Sequence, residues 1–279
     1  MRHSILHTAG NVVWVARRDP REAVPLLGAY ARLKARELAS RADGSDDTSI
    51  ARFLGLEVSF FDAYWLVEMF EEIFLRDQYR FAPSRPRPLI LDVGSNVGLS
   101  ILYFKREYPD ARVVGFEPDP RTFAVLERNV RQNGLSDVTL VEAAVSDGRE
   151  SLVLHADVPG SPQASTTSMR AATGARSTTV RADRLSRHVA DEVDLLKLDV
   201  EGAEGTVLAE LADAGRLPLV REIVMEYHHH LDSHRDELSD VLSLLEGAGF
   251  GYGLEARVGP RDGRAEGAYQ NVLVHAYRK

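Results

Sequence analysis

The sequence predicts an α/β fold, a Rossmann-like doubly wound sheet behind a helical N-terminal extension. Three observations carry this. From residue 89 onward, short apolar runs alternate with helix-forming segments, the pattern of a parallel sheet wrapped by helices. A glycine-punctuated turn follows the first of those runs. The 279 residues are 44% apolar and 27% charged, enough to bury one large core or a core with an appendage.

The elements read in chain order. Residues 21–38 mix Ala, Leu, Arg, Lys and Glu, all strong helix formers. Residues 42–48 have the composition of a loop. In residues 60–79, Phe61, Tyr64, Trp65, Met69 and Phe70 recur near helical spacing, which predicts an amphipathic helix. Its aromatic stripe is expected to pack on the main domain. It is also suited to cap a pocket or to face a second copy of the chain. Residues 1–82 are thus expected to form a helical extension or cap. Pro83, Pro86 and Pro88 make a stiff connector, and the domain 83–279 follows.

Within that domain, strands are expected at 89–93, 113–116, 138–142, 193–198 and 220–225, and helices at 99–108, 122–133, 203–214 and 233–245. Gly134 and Gly215 stand where helices close on a left-handed residue. Residues 151–155 alternate like a hairpin arm. Residues 250–254 and 269–277 read as an antiparallel edge pair. Residues 156–179, with Pro159, Gly160, Pro162, Gly174 and the hydroxyls of Ser165, Thr166, Thr167 and Ser168, read as a long loop, a lid or a disordered stretch.

Composition excludes several classes. With no cysteine, a disulfide framework, cysteine-ligated zinc, iron–sulfur clusters and a thiol nucleophile are ruled out. Thirty-four basic against 42 acidic residues give a net charge of −8, no footprint for nucleic-acid binding. Residues 1–41 are the exception, with eight Lys/Arg against three Asp/Glu. That stretch reads as a solvated helix face or as a contact surface for an anionic partner. The apolar run at 12–16 falls far short of the ~20 residues that span a bilayer. No cleavage site follows it, so the sequence reads as cytoplasmic, with no membrane segment.

Leu89-Ile-Leu-Asp92-Val-Gly94-Ser95-Asn96-Val-Gly98 is the most informative segment. It joins a strand to a helix N-terminus through a tight turn, at the place where nucleotide-like ligands lie in doubly wound sheets. Gly94 permits the turn and a close backbone approach, and Gly98 lets a ligand or the sheet come near the helix start. A dinucleotide fingerprint would have glycine where Asn96 stands. The acid Asp92 would repel a pyrophosphate and attract a cationic amino-acid group. The loop therefore suits S-adenosyl-L-methionine. The second strand ends in Phe116-Glu117-Pro118-Asp119, and Glu117 is placed to accept both ribose hydroxyls. The third leads to Ala143 and Ala144, small residues against which an adenine ring would lie.

These segments, together with Asp194-Leu-Leu-Lys197-Leu-Asp199-Val-Glu201-Gly-Ala-Glu204, resemble the FkbM family of S-adenosylmethionine-dependent methyltransferases. The resemblance covers about residues 55–276, its four motifs fall in the family's order, and residues 1–50 lie outside it. It implies a seven-stranded sheet and, most often, O-methylation of a hydroxyl on a sugar or natural-product scaffold.

For the chemistry, the fourth strand offers Lys197 and Asp199, and the fifth offers Glu226 and His228. Two mechanisms are open. In one, His228 or an acid is general base on the acceptor hydroxyl, the histidine's ordinary pKa near 6.5 suiting that task. In the other, Asp199, Glu226 and His228 hold a divalent cation such as Mg2+. Asp199 is also readable as a buried partner of Lys197 or a cap for the following helix. The competing functions are N-methylation of a small molecule or peptide, an NAD-dependent oxidoreductase or epimerase, and a non-catalytic binding module. The missing dinucleotide fingerprint counts against the oxidoreductase.

Overall fold

In the computed structural model, residues 10–39, 48–156, 176–229, 238–256 and 270–279 are described. The extension starts with helices α1 (residues 10–16) and α2 (Pro20–Ala39). A hairpin of β1 (Ser49–Phe53) and β2 (Leu56–Phe60) follows, then α3 (Ala63–Phe70), which widens into a π-helical turn at Glu71–Leu75. The domain then runs β3 (Leu89–Val93), α4 (Leu99–Glu107), β4 (Arg112–Phe116), α5 (Pro120–Gln132), β5 (Val138–Val141), β6 (Ala144–Val145), β7 (Ser151–Ala156), β8 (Arg176–Asp183), β9 (Val193–Leu198), α6 (Glu204–Asp213), β10 (Val220–His229), α7 (Leu238–Gly247), β11 (Phe250–Ala256) and β12 (Gln270–Arg278).

Seven strands form the main sheet, in the order β11-β12-β10-β9-β3-β4-β5. All run parallel except β12, which is antiparallel to both β10 and β11. This is the doubly wound sheet the sequence predicts, and β11 with β12 forms the expected antiparallel edge pair, β11 outermost. The order reverses at β3, so the crevice above the carboxyl ends of β3, β4 and β9 is the topological switch point.

Side-chain alternation sorts the strands' two faces. Leu91, Val93, Leu196, Leu198, Ile223 and Met225 pack on α6 and α7. Ile90, Leu195 and Val224 face the other way and share one core with α4, α5 and the extension, where Val15, Leu33, Phe53, Phe70 and Phe74 lie. Residues before the proline connector are therefore bound to the sheet by a common apolar core. The connector is pinned as well: buried Asp194 on β9 accepts from Ser84 N, Ser84 Oγ, Arg85 Nε and Leu89 N.

Two expectations are corrected. The extension is not helical throughout. Residues 49–60 form a hairpin, turned at Leu54 and Gly55 with φ of 51° and 80°, the left-handed pair that a two-residue hairpin turn demands. The aromatic helix is shorter than 60–79. Asp62 caps it, its Oδ1 accepting from Tyr64 N at 2.7 Å and Trp65 N at 3.2 Å, and it ends at the π turn. The stripe does pack on the domain, with Phe74 edge-on to Tyr103 of α4 at 5.5 Å. The alternating arm at 151–155 is confirmed as β7, paired with β8, so residues 176–179 are strand rather than loop. The serine and threonine cluster at 165–168 and the start of the helix expected at 233 lie outside the described residues.

Candidate active site

The register of the central strands builds the site. Asp92 on β3 stands opposite Lys197 on β9, and Lys197 opposite Val224 on β10. On the face turned toward the extension, positions two further along are Asp199, Glu226 and then His228. The predicted residues thus converge where the strands end, and Tyr79 of the extension joins them. Lys197 Nζ lies 5.7 Å from the centre of the Tyr79 ring.

The turn after β3 is held from beneath. Gly94 N and Ser95 N both donate to Phe116 O at the end of β4, at 3.1 and 2.8 Å. Ser95 Oγ donates to Asp92 O at 2.9 Å, and Lys197 Nζ donates to Gly94 O at 2.5 Å. Gly94 has φ of 86°, and a Cβ there would fall 1.8 Å from the backbone oxygen of Asp199. No other residue fits. Asn96, also left-handed at φ 49°, uses the tolerance of asparagine for that region, and its Oδ1 accepts from Val97 N at 2.6 Å. Gly98 abuts a helix rather than open space: a Cβ on it would meet Leu126 of α5 at 2.5 Å.

Three of the residues expected to meet the cofactor are buried. Asp92 is fully buried, accepts from Ser100 Oγ at 2.6 Å and pairs with Lys197 at 3.5 Å. Ser100 and Lys197 thus hold it beneath the loop. Ser95 is likewise buried in the turn. Ala144 packs with Leu154, Val180 and Ala182 between β6, β7 and β8. Gly94, Asn96 and Pro118 keep partial exposure at the crevice. Glu117 is buried beside Asn96, accepting from Asn96 N at 3.0 Å and Asp119 N at 2.9 Å. Burial pushes its carboxyl up to about 8 against the pull of those backbone donors.

The charged cluster sits next to this turn. Lys197 is almost wholly buried and lies 3.5 Å from both Asp92 and Asp199. Burial works against its ammonium, but Asp199, Asp92 and Glu226 together outweigh it and hold the pKa above the usual lysine value. Asp199 keeps 26% of its side chain exposed and reaches the crevice. Glu226 is part-exposed beside it, its carboxyl pushed up to about 8 by burial first, then by Asp199 and Glu72. Burial, then Asp199 and Glu226, push the Tyr79 hydroxyl well above the ordinary tyrosine range.

His228 does not meet the expectation of an imidazole with an ordinary pKa. Its Nδ1 lies 2.8 Å from Glu204 Oε1, and its Nε2 3.6 Å from Glu201 Oε1 and 3.9 Å from Asp199 Oδ1. Burial lowers the ring's pKa, but these carboxylates more than offset it and raise it to about 10. Among these carboxylates alone the ring favours its charged form, and a cation at Nε2 would take the place of that proton.

Strand alternation already puts Glu201 on the side of Lys197 and Asp199, without a role, whereas sequence reasoning missed Glu204. Glu204, the first residue of α6, accepts from Val200 N at 3.2 Å and Gly202 N at 3.0 Å, and so closes the turn itself. Asp199 therefore does not cap α6. Glu201 is swung back toward His228 by a left-handed φ of 54°. Asp199, Glu201 and His228 are brought together, their donor atoms all within 4.8 Å of one another. Glu226 is not in that group. The Asp-x-Glu-x-x-Glu spacing at 199–204 was the signal available in the sequence.

Known proteins bear on this arrangement. Residues 92–252 match the methyltransferase FkbM domain. Over 206 residues the chain is 30% identical to methyltransferase 1 of Beauveria bassiana, spanning 66% of this chain and 81% of that protein. Over 197 residues it is 32% identical to the 31-O-demethyl-FK506 methyltransferase FkbM of Streptomyces tacrolimicus, spanning 60% and 74%. The crystal structure of methyltransferase FkbM from Methylobacillus flagellatus aligns with a TM-score of 0.42 at 14% identity, over 88% of this chain and 58% of that one.

Proposed function

Because the chain belongs to the FkbM family of methyltransferases, we propose that it transfers a methyl group from S-adenosyl-L-methionine to a hydroxyl of a small molecule, a sugar or natural-product scaffold. The observation that carries the cofactor is Glu117. A buried carboxyl, held by two backbone donors beside the bare turn at Gly94, stands where the ribose of a nucleoside lies in sheets of this type. The residues fit the group. Gly94 and Asn96 keep the turn part-exposed, the carboxyl groups of Glu117 and Asp199 stand beside it, and the cation at the turn, Lys197, is drawn onto the Gly94 carbonyl. The oxygen acceptor is supported by similarity to an enzyme named for methylating 31-O-demethyl-FK506.

The cofactor supplies an electrophilic methyl on a sulfonium; the acceptor oxygen gains the carbon, and the sulfur keeps the bonding electrons. The chain's own residues do the rest. Lys197 ties the Gly94 carbonyl to Asp199, so the turn and the acceptor side of the crevice are set by one side chain. Such placement removes much of the entropy cost of bringing two reactants into line. Asp199 is committed to Lys197, and Glu226 beside it takes the proton that the acceptor hydroxyl gives up. Tyr79, packed over Lys197, excludes water from the extension side.

Calorimetry of the chain against S-adenosylhomocysteine and NAD tests this. The expected result is micromolar binding of S-adenosylhomocysteine alone, lost in Glu117→Ala. Binding of NAD instead, or of neither, overturns the cofactor. Given binding, mass-spectrometric detection of a 14 Da gain on oxygen acceptors and not on amines separates O- from N-methylation.

A further inference from the structure

We propose that Asp199, Glu201 and His228 form a binding site for one divalent cation of the Mg2+ or Mn2+ type, with Glu204 as the carboxylate that orients His228. The donor set is mixed, two carboxylates and an imidazole from two separate elements. Asp199 and His228 already have their other sides engaged. Asp199 Oδ2 faces Lys197, so Oδ1 is the oxygen turned to His228. Glu201 turns Oε1 toward the same ring nitrogen. His228 Nδ1 is on Glu204 Oε1, which fixes the ring and aims Nε2 between the two carboxylates.

The second observation concerns what holds the imidazole. A metal-binding histidine characteristically gives its other nitrogen to a carboxylate or carbonyl, which fixes the tautomer and raises the ligand's basicity. Glu204 is such a partner. It is buried, and the N–H groups of Val200 and Gly202 hold its oxygens, so the ring rests on a backbone-anchored support. Mutually adjacent ligands of an octahedral ion stand ~3 Å apart at bond lengths of ~2.1 Å. The observed separations of 3.6 and 3.9 Å close to that spacing with carboxylate shifts of less than about 1 Å. Hard oxygen donors favour Mg2+ and Mn2+, and the imidazole tilts the choice toward Mn2+. Remaining positions would open on the part-exposed side of Asp199.

A cation there would polarise an acceptor oxygen and lower the pKa of its hydroxyl, the proton passing to Glu226. That role rests on the methyl-transfer reading; the binding of the ion does not. The site also differs from the one the sequence suggested, with Glu201 in place of Glu226.

The test is titration of the EDTA-stripped full chain with Mn2+, following free ion by electron paramagnetic resonance. S-adenosylhomocysteine calorimetry and circular dichroism are run on the same samples. One ion per chain is expected at micromolar affinity. Asp199→Asn and Glu201→Gln should each weaken it by at least about tenfold, and Glu204→Gln by about tenfold through His228. Glu226→Gln should leave Mn2+ binding within about twofold, since it removes no ligand. The proposal is overturned if the folded wild type shows no saturable uptake below about 1 mM, or if uptake persists unchanged in both Asp199→Asn and Glu201→Gln. Nucleoside binding without Mn2+ uptake sinks the ion alone; Mn2+ uptake without nucleoside binding sinks the cofactor reading and leaves the ion.

Discussion

Gly94 answers two demands at once. Its φ of 86° is one that residues with a Cβ rarely adopt, and the Asp199 carbonyl occupies the space a Cβ would need. Gly94→Ala should therefore destabilise the fold by at least about 2 kcal/mol and abolish nucleoside binding, because the loop must lift from β9. Urea unfolding and calorimetry read both; a variant with native affinity would show that the turn tolerates displacement. Lys197 is the other single point of failure. Lys197→Met would leave Asp92 buried without its cation and Gly94 O without its donor. A loss of about 3–5 kcal/mol is expected from breaking a buried pair on one side only, and a change under 1 kcal/mol would show that Asp92 takes up a proton at little cost. Glu117 sets a pH dependence. Its folded-state carboxyl sits at about 8, so it is mostly protonated at pH 6 and ionised at pH 9. Two ribose hydroxyls donate best to the ionised form, so nucleoside affinity should rise with pH up to about 8 and then level off. In Glu117→Gln that slope should vanish, whereas an unchanged slope would assign it to another group.

Helix α5 is more than cover for the sheet. Its Asn129 has no exposure and spends every polar atom. Oδ1 accepts from Ser59 N and Gln132 Nε2, while Nδ2 donates to Ser59 O and to Val97 O in the Gly94–Gly98 turn. One side chain thus ties the hairpin of the extension to the cofactor loop. Asn129→Leu keeps the volume and strands those backbone groups, so a loss of about 2–4 kcal/mol is expected, with nucleoside affinity falling more than general stability predicts. Equal affinity in a destabilised variant would limit Asn129 to a packing role. This link was not legible in the sequence, where residues 49–60 read as part of a helical stretch and the Leu54-Gly55 turn went unnoticed. What was legible follows a rule. The strand-end motifs around Gly94, Glu117 and Asp199 were readable because strand alternation and the switch point fix where such residues go. The burial of Asp92, Ser95 and Ala144 was not legible, because sequence carries no measure of depth. Alternation puts Glu201 on the side of Lys197 and Asp199 but gives it no role, because its approach to His228 depends on one left-handed φ.

At the scale of the molecule, the extension and the sheet share an interior, and this decides how the protein unfolds. Phe53, Phe70 and Phe74 form a ring cluster whose centroids lie 5.1 to 6.0 Å apart, and Tyr103 of α4 continues it into the domain. Glu71 in the π turn adds a buried polar tie, accepting from Tyr30 Oη and Asn11 Nδ2 at 2.6 Å each. Arg18 reaches Leu75 O at 2.7 Å and pairs with Asp77 at 3.1 Å. An extension joined this way cannot detach without opening the face of the sheet that bears Lys197 and Asp199, so it should melt with the domain in one transition. Phe74→Ala, by leaving a cavity at the junction, is expected to cost about 3–5 kcal/mol. For a chain of this size that lowers Tm by roughly 6–15 °C. The same change should loosen Tyr79 from Lys197 and weaken turnover beyond its effect on stability. Scanning calorimetry decides the matter. A single endotherm that moves as a whole in Phe74→Ala fits a shared core, whereas a separate early transition, with the main peak unmoved, would make the extension an independent body laid over the site.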